Sequence, residues 1–356
     1  MLKLKCLPIV ICFIFLYGCT VDSNRGTEFS ITLSSPSPDS IYIEWETEAE
    51  ISSYTIFRQS GEGGEYGYVA AIPNGHSYLD TGLQASTKYR YKIAYRDGDA
   101  ERFIGGDFFA VTSPHFIAHR GYWDSNGSDE NSLQSLRQAA ELGVYGSEFD
   151  VQLTADNVPV VYHDNRIRGT DIDIQRALYD AIKDVVLKNN EKLPALNDYL
   201  AAGKTLSIQL ILELKPHATA ERDREAARIV TDAVRYFGLE DRVEYITFSL
   251  EAGKELIRLQ PEGNVGYLSG DLTPQELKEY GFSTLSYNYV TMWDNPHYFD
   301  DAKSLGLAIA AWTINNFMPM DYLVDGGAVF ITTDMPRSAQ KYFEQKTYQY
   351  RFTLGE

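Results

Sequence analysis

Beyond Cys19 the chain has no cysteine: all three, Cys6, Cys12 and Cys19, fall within the first nineteen of its 356 residues. Everything downstream is therefore without disulfides, zinc–thiolate sites or a cysteine nucleophile. Positive charge is also short. Lys and Arg number 32 against 50 Asp and Glu, and the formal net charge of -18 repels a polyphosphate backbone. A nucleic-acid partner is excluded on that ground, although a small basic pocket for one phosphate is compatible with the total. Long apolar runs are missing as well, since the run at residues 7–17 is too short to span a bilayer.

That run follows Lys3 and Lys5 and reads as an export signal. It closes in Leu16-Tyr17-Gly18-Cys19, which resembles a bacterial lipobox; an ordinary signal peptide with an incidental cysteine is the plainer alternative. The resemblance implies lipidation of Cys19 and hence a membrane anchor. Thr20 and Val21 offer no obvious inner-membrane retention signal, which favours the periplasmic side of the outer membrane or the cell surface. Residues 20–27 are polar and suited to a tether. The roughly 340 residues that follow residue 19 exceed one ordinary domain and suit a small domain plus a barrel of about 250 residues.

Residues 28–113 carry short alternating runs at 30–33, 41–45, 54–58, 68–72, 89–95 and 103–111, separated by Gly, Pro, Asn and Asp. Period-two alternation of this kind predicts a β-sandwich. Trp45 in an early run, and Leu83 leading into Thr87-x-Tyr89-x-Tyr91, resemble a fibronectin type III module. A spacer role is the simplest reading of this domain, and a glycan or protein contact is the other.

From residue 114 to 356 the texture changes. Apolar runs at 116–118, 145–150, 206–215, 245–248, 265–268, 284–287, 308–313 and 329–332 alternate with amphipathic stretches such as 132–142, which stops at Gly143. Eight such repeats predict an α/β fold, a (β/α)8 TIM-type barrel. Its chemistry belongs at the strands' C-terminal ends, and the unusual charges fall there: His119, then Glu148 and Asp150, then Glu213 and Lys215.

Glu148 and Asp150 are two apart on a strand and share a face, as do Glu213 and Lys215. Three carboxylates without a thiolate are hard ligands, suited to Mg²⁺ or Ca²⁺. The competing arrangement is a set of buried ion pairs, for which local cations are too few. A turn at Ala155-Asp156-Asn157 predicts a hairpin; pairing Leu153 with Val158 would bring His163 opposite Glu148. Arg120 offers a planar fork for phosphate oxygens, and Gly121 would let backbone approach a ligand. Two imidazoles, three acids and two cations can bind a divalent metal, hold a phosphate and move protons. Trp312 is either an aromatic wall or core packing, and residues 165–197 look like a loop with one helix at 178–187 over the mouth.

His119-Arg120-Gly121, Glu130-Asn131-Ser132, Glu148-x-Asp150, His163-Asp164, Leu193-Pro194-x-Leu196, Glu213-x-Lys215, Trp312-Thr313-x-Asn315 and Ile331-Thr332-Thr333-Asp334-x-Pro336 occur in that order. Together they resemble the glycerophosphodiester phosphodiesterase family, over about residues 115–338. Ser132 departs from the family's usual Thr, and Ala195 stands where Thr commonly follows the Pro. The resemblance implies Glu148, Asp150 and Glu213 as ligands of Ca²⁺ or Mg²⁺, Arg120 and Lys215 as phosphate holders, and Trp312 beside the glycerol carbons. It implies His119 and His163 as the acid and base pair; we assign His119 as acid, and the reverse fits the sequence equally. The expected substrate is a small glycerophosphodiester, split to glycerol 3-phosphate and an alcohol. Two rivals are a phospholipase D-like or lysophospholipase D-like activity on the same scaffold and a non-catalytic binding lipoprotein.

Overall fold

The computed structural model describes residues 27–61, 63–124 and 127–353. The expected signal segment, most of the tether and Cys19 lie outside them. Among the described residues no helix is long and apolar enough to cross a membrane.

The N-terminal region is two facing β-sheets. Strands β1 (Glu28–Ser37), β2 (Ser40–Thr47), β3 (Ser53–Ser60), β4 (Gly67–Pro73), β5 (Ser77–Thr81), β6 (Lys88–Asp97), β7 (Ala100–Phe103) and β8 (Phe108–Val111) follow one another. One sheet runs β5–β2–β1 and the other β4–β3–β6–β7, with β8 also on β6. Alternation explains the packing: Phe29, Ile31 and Leu33 of β1 are fully buried while the residues between them face outward. Trp45 and Tyr54 meet edge to face at 5.1 Å in the centre of this core.

Two elements depart from expectation. β5 escapes the alternation rule because its inward residue is Asp80, which accepts hydrogen bonds from Arg58 and the Tyr91 hydroxyl, both at 2.8 Å. The run at 103–111 is two strands, broken at Gly105, whose φ is +58°. A Cβ there would stand 1.9 Å from the Phe352 ring, so only glycine fits.

Phe352 belongs to the chain's return. The barrel strands are β9 (His115–Ala118), β10 (Gly146–Leu153), β12 (Gln209–Leu214), β13 (Val243–Thr247), β14 (Val265–Tyr267), β15 (Thr284–Asn288), β16 (Ala308–Trp312) and β17 (Phe330–Thr333); β11 (Pro159–Val161) lies antiparallel on β10. These eight are parallel and close, β17 pairing with β9, as the eight-fold repeat predicts. After the last helix, Pro336–Gln345, the chain does not stay with the barrel: β18 (Thr347–Thr353) adds to the first sheet, antiparallel to β1, with Phe29 opposite Phe352. The boundary drawn at 113/114 thus misses one strand, because Tyr348, Tyr350 and Phe352 pack on the sandwich core and nothing in a period-two run says which sheet it will join.

The sandwich sits at the end of the barrel where the strands begin. The Ser86 hydroxyl donates to the carbonyl of Ala328, just before β17, at 2.6 Å. The strands' C-terminal ends, and the site described next, face the opposite way.

Candidate active site

β10 is buried along its whole length, between the barrel interior and the surrounding helices. Glu148 and Asp150 therefore stay on one side with almost no exposure, and the register pairs Asp150 with Glu213 on β12. Ligand oxygens of Glu148, Asp150 and Glu213 lie within 4.8 Å of one another. The expected triad is assembled.

Its surroundings come from the loops. Arg120, just after β9, has φ +57°, and this turn aims its backbone N–H at Glu148 Oε2, 2.7 Å away. Its guanidinium donates to Glu130 at 2.6 Å and stands 3.5 Å from Asp150. Lys215 reaches Glu213 at 2.7 Å and Asp150 at 3.2 Å. Asn131, also left-handed at φ +60°, clamps Asp150 twice: its amide donates to Oδ2 at 2.8 Å and its oxygen accepts the Asp150 N–H at 3.0 Å. Gly121 has a packing reason to be glycine: a Cβ there would meet the Ser135 hydroxyl at 2.3 Å, so its bareness lets the first turn of the helix Leu133–Leu142 pack against this loop.

His119 Nδ1 bonds Asp334 Oδ1 at 2.7 Å, which leaves Nε2 turned toward the acids, 4.0 Å from Glu148. Asp334, after β17, is itself held by Asn315, whose amide donates to Oδ2 at 2.6 Å and whose oxygen accepts the Asp334 N–H. His163 Nδ1 bonds its neighbour Asp164 at 2.7 Å. The hairpin beneath it is one residue out of the expected register: Leu153 faces Pro159, not Val158. A three-residue loop closed by Asn157 at φ +67° causes the slip, with the Thr154 N–H on the Val158 carbonyl. β11 ends at Val161, so His163 reaches the site from the segment beyond the strand.

That segment, 162–195, holds a small core of its own, with Ile167, Ile174, Ile182 and Leu193 beside Val160. The helix expected at 178–187 is the single turn Tyr179–Ile182, because Val186 instead bridges to Lys192. Trp312 is half-buried: its indole donates to the Ser286 carbonyl at 3.0 Å and its ring meets Phe248 edge to face at 5.4 Å. It is both packed and available at the mouth.

The electrostatics divide the acids. Burial, then Asp150 and Glu213, push Glu148 well above the ordinary carboxylate range, against the pull of Arg120. Burial and Asp150 lift Glu213 to about 7, with Lys215 opposing. Asp150 is equally buried, but Lys215, His163 and Arg120 outweigh that burial and hold it low. Glu148 Oε1 is buried with no hydrogen-bond partner. Two cations match two carboxylates and leave the third uncompensated, so ion pairing alone does not balance the cluster. A hard divalent cation fits that donor set.

Asp334, Asn315 and Asn131 lie outside the expected site list. All three stand inside the motif strings that carry the family resemblance, which is the signal that could have found them.

Residues 119–338 match the profile described as the Glycerophosphoryl diester phosphodiesterase family. A protein of Caldanaerobacter subterraneus named Glycerophosphodiester phosphodiesterase is 25% identical over 238 residues, 62% of this chain and 94% of its own. Among solved structures, a glycerophosphodiester phosphodiesterase from Parabacteroides distasonis is 50% identical, with a TM-score of 0.63, covering 64% of this chain and 96% of that one. A phosphodiesterase of Oleispira antarctica, solved with the product sn-glycerol-3-phosphate, is 25% identical with a TM-score of 0.58 over 64% of this chain and 96% of its own.

Proposed function

The chain belongs to the glycerophosphoryl diester phosphodiesterase family and is an enzyme of that class, from which we propose that it hydrolyses glycerophosphodiesters to glycerol 3-phosphate and an alcohol, with a divalent cation and two histidines. The observation that carries this reading is the buried cluster Glu148, Asp150 and Glu213 with its uncompensated Glu148 oxygen, set beside a histidine that a carboxylate orients.

Glu148, Asp150 and Glu213 would hold Ca²⁺ or Mg²⁺, which when bound neutralises diester charge and eases deprotonation of a nearby hydroxyl. Arg120 and Lys215 hold the non-bridging phosphate oxygens and stabilise the charge that grows in the transition state. His119, fixed through Nδ1 by Asp334, offers Nε2–H to the departing alkoxide, the carboxylate setting the ring's orientation. His163 is held below the ordinary imidazole range, chiefly by burial, so it is neutral at pH 7 and suited to take the proton of the attacking hydroxyl. That hydroxyl is the neighbouring one on glycerol, giving a cyclic phosphate that water opens. Half-buried Trp312 flanks the glycerol carbons.

The N-terminal body we read as fibronectin type III-like. Its support is the strand order of its two sheets, buried Trp45, and the Tyr89 hydroxyl, which accepts the Gln84 N–H at 2.9 Å five residues upstream, a corner typical of such sandwiches. With a lipid on Cys19, this body is a spacer at the outer membrane or cell surface, and the barrel mouth points away from it toward soluble diesters.

Glycerophosphocholine or glycerophosphoethanolamine incubated with the protein in Mg²⁺ or Ca²⁺ is expected to yield glycerol 3-phosphate, and EDTA to stop the yield. Failure to turn over any such diester overturns the reading.

A further inference from the structure

Beside the mouth lies a cavity of about 550 Å³ built from the segments that follow β15 and β16. The short helix Tyr289–Asp294 supplies Tyr289, Val290 and Trp293, and the next loop and helix supply Ile314, Asn315 and Met318. In a chain of net charge -18, no residue lining this cavity is charged. Val290, Trp293 and Met318 are 48%, 52% and 68% exposed, so large apolar surface is left facing the opening. Trp293 is braced at 4.6 Å by Tyr322, which limits its freedom and suits it to be a fixed wall.

Asn315 connects this cavity to the reaction. Asn315 is among the residues that line the space, and its side-chain amide donates to Asp334 Oδ2, while Asp334 Oδ1 bonds His119 Nδ1. The cavity is thus two side chains from the imidazole that protonates the leaving oxygen.

We propose that this cavity is the leaving-alcohol subsite and that it selects diesters whose alcohol carries an uncharged alkyl group. The inference rests on the hydrolase reading and on His119 as proton donor. In the step itself the phosphorus–oxygen bond to the alcohol breaks, the alkoxide takes the Nε2 proton of His119, and the attacking hydroxyl oxygen bonds phosphorus as His163 removes its proton. A neutral chain gains from each methylene it buries, whereas an ammonium head group finds no carboxylate here to pair with.

The test compares kcat/KM for glycerol phosphodiesters of methanol, butanol and octanol, and of choline against its neutral isostere 3,3-dimethylbutanol. The full chain is used with added Mg²⁺ or Ca²⁺. Wild-type kcat/KM is expected to rise about two- to fourfold per methylene until the cavity is filled, and the neutral isostere to match or exceed choline. In Trp293→Ala/Met318→Ala the octyl-to-methyl ratio should fall at least tenfold, while Trp293→Phe retains most of it. A flat wild-type series, a ratio unchanged in the double variant, or a choline preference lost in Trp293→Ala overturns the subsite while leaving the hydrolase standing. So does a chain-length effect that appears only when the alkyl group is placed on the glycerol. No turnover of any diester overturns the hydrolase reading and the subsite together.

Discussion

At the scale of single residues, Asp334 meets two demands at once: one oxygen orients His119 and the other is anchored by Asn315. Asp334→Asn should keep the fold and lower kcat by about 10²- to 10³-fold with a smaller change in KM, because the amide favours the wrong imidazole tautomer. Steady-state kinetics beside a circular dichroism spectrum check this; an unchanged kcat would remove the pair from the mechanism. Asn131 works on the other side of the site. Its Ala variant loses both bonds to Asp150 and should weaken cation binding about 10- to 100-fold, read by calorimetric titration with Mg²⁺ or Ca²⁺. A titration that matches wild type would show that Asp150 holds its place unaided. The acids themselves were legible in the sequence, since residues two apart on a strand must share a face. Asp334 and Asn131 carried a signal only through the motif strings of the family resemblance, because nothing in the local pattern says that a loop after the eighth barrel strand will lie against one after the first.

Between elements, charge is used structurally. The helix Ala220–Phe237 presents Arg228 to Glu255 on the helix Leu250–Leu259, where Arg258 joins it, at 2.7 and 2.8 Å. Hydrogen bonds from Arg258, with Arg228 adding to them, hold Glu255 down to about 2 from its ordinary 4.5. A depressed carboxylate contributes fully above its unfolded value and loses that contribution as pH falls toward the folded one. Wild type should therefore lose about 1–2 kcal/mol more stability than Glu255→Gln between pH 5 and pH 2, a figure reduced for the half-exposed arginines. Urea unfolding at the two pH values measures it, and parallel curves would contradict it. Sequence periodicity located both helices' neighbourhood but not this pairing. The same limit explains β5, whose inward Asp80 breaks the apolar alternation that reveals strands, and the hairpin slip at Asn157, where one left-handed residue changed the loop length.

Across the whole molecule, β18 carries the chain from the last barrel helix back to β1 and ties the two bodies together. Ending the chain at residue 346 should expose the β1 edge and uncover Phe29's neighbours. The sandwich is then expected to unfold at a temperature lower by about 4–8 °C per kcal/mol lost, with more aggregation from the bare edge. Differential scanning calorimetry on the truncated and full chains decides it; coincident melting would mean that β18 adds nothing.

What the amino-acid order determined alone is whatever depends on neighbours along one element. The eight strand-and-helix repeats, the alternating pairs Glu148/Asp150 and Glu213/Lys215 and the stop at Gly143 all follow from fixed periods of two and 3.6 residues. What tertiary structure decided is everything joined by closure: β17 pairing with β9 brings Asp334 to His119, and the return of β18 gives the sandwich its fourth strand in one sheet. The burial that lifts Glu148 and Glu213 likewise exists only once the barrel has closed and taken water away from three acids.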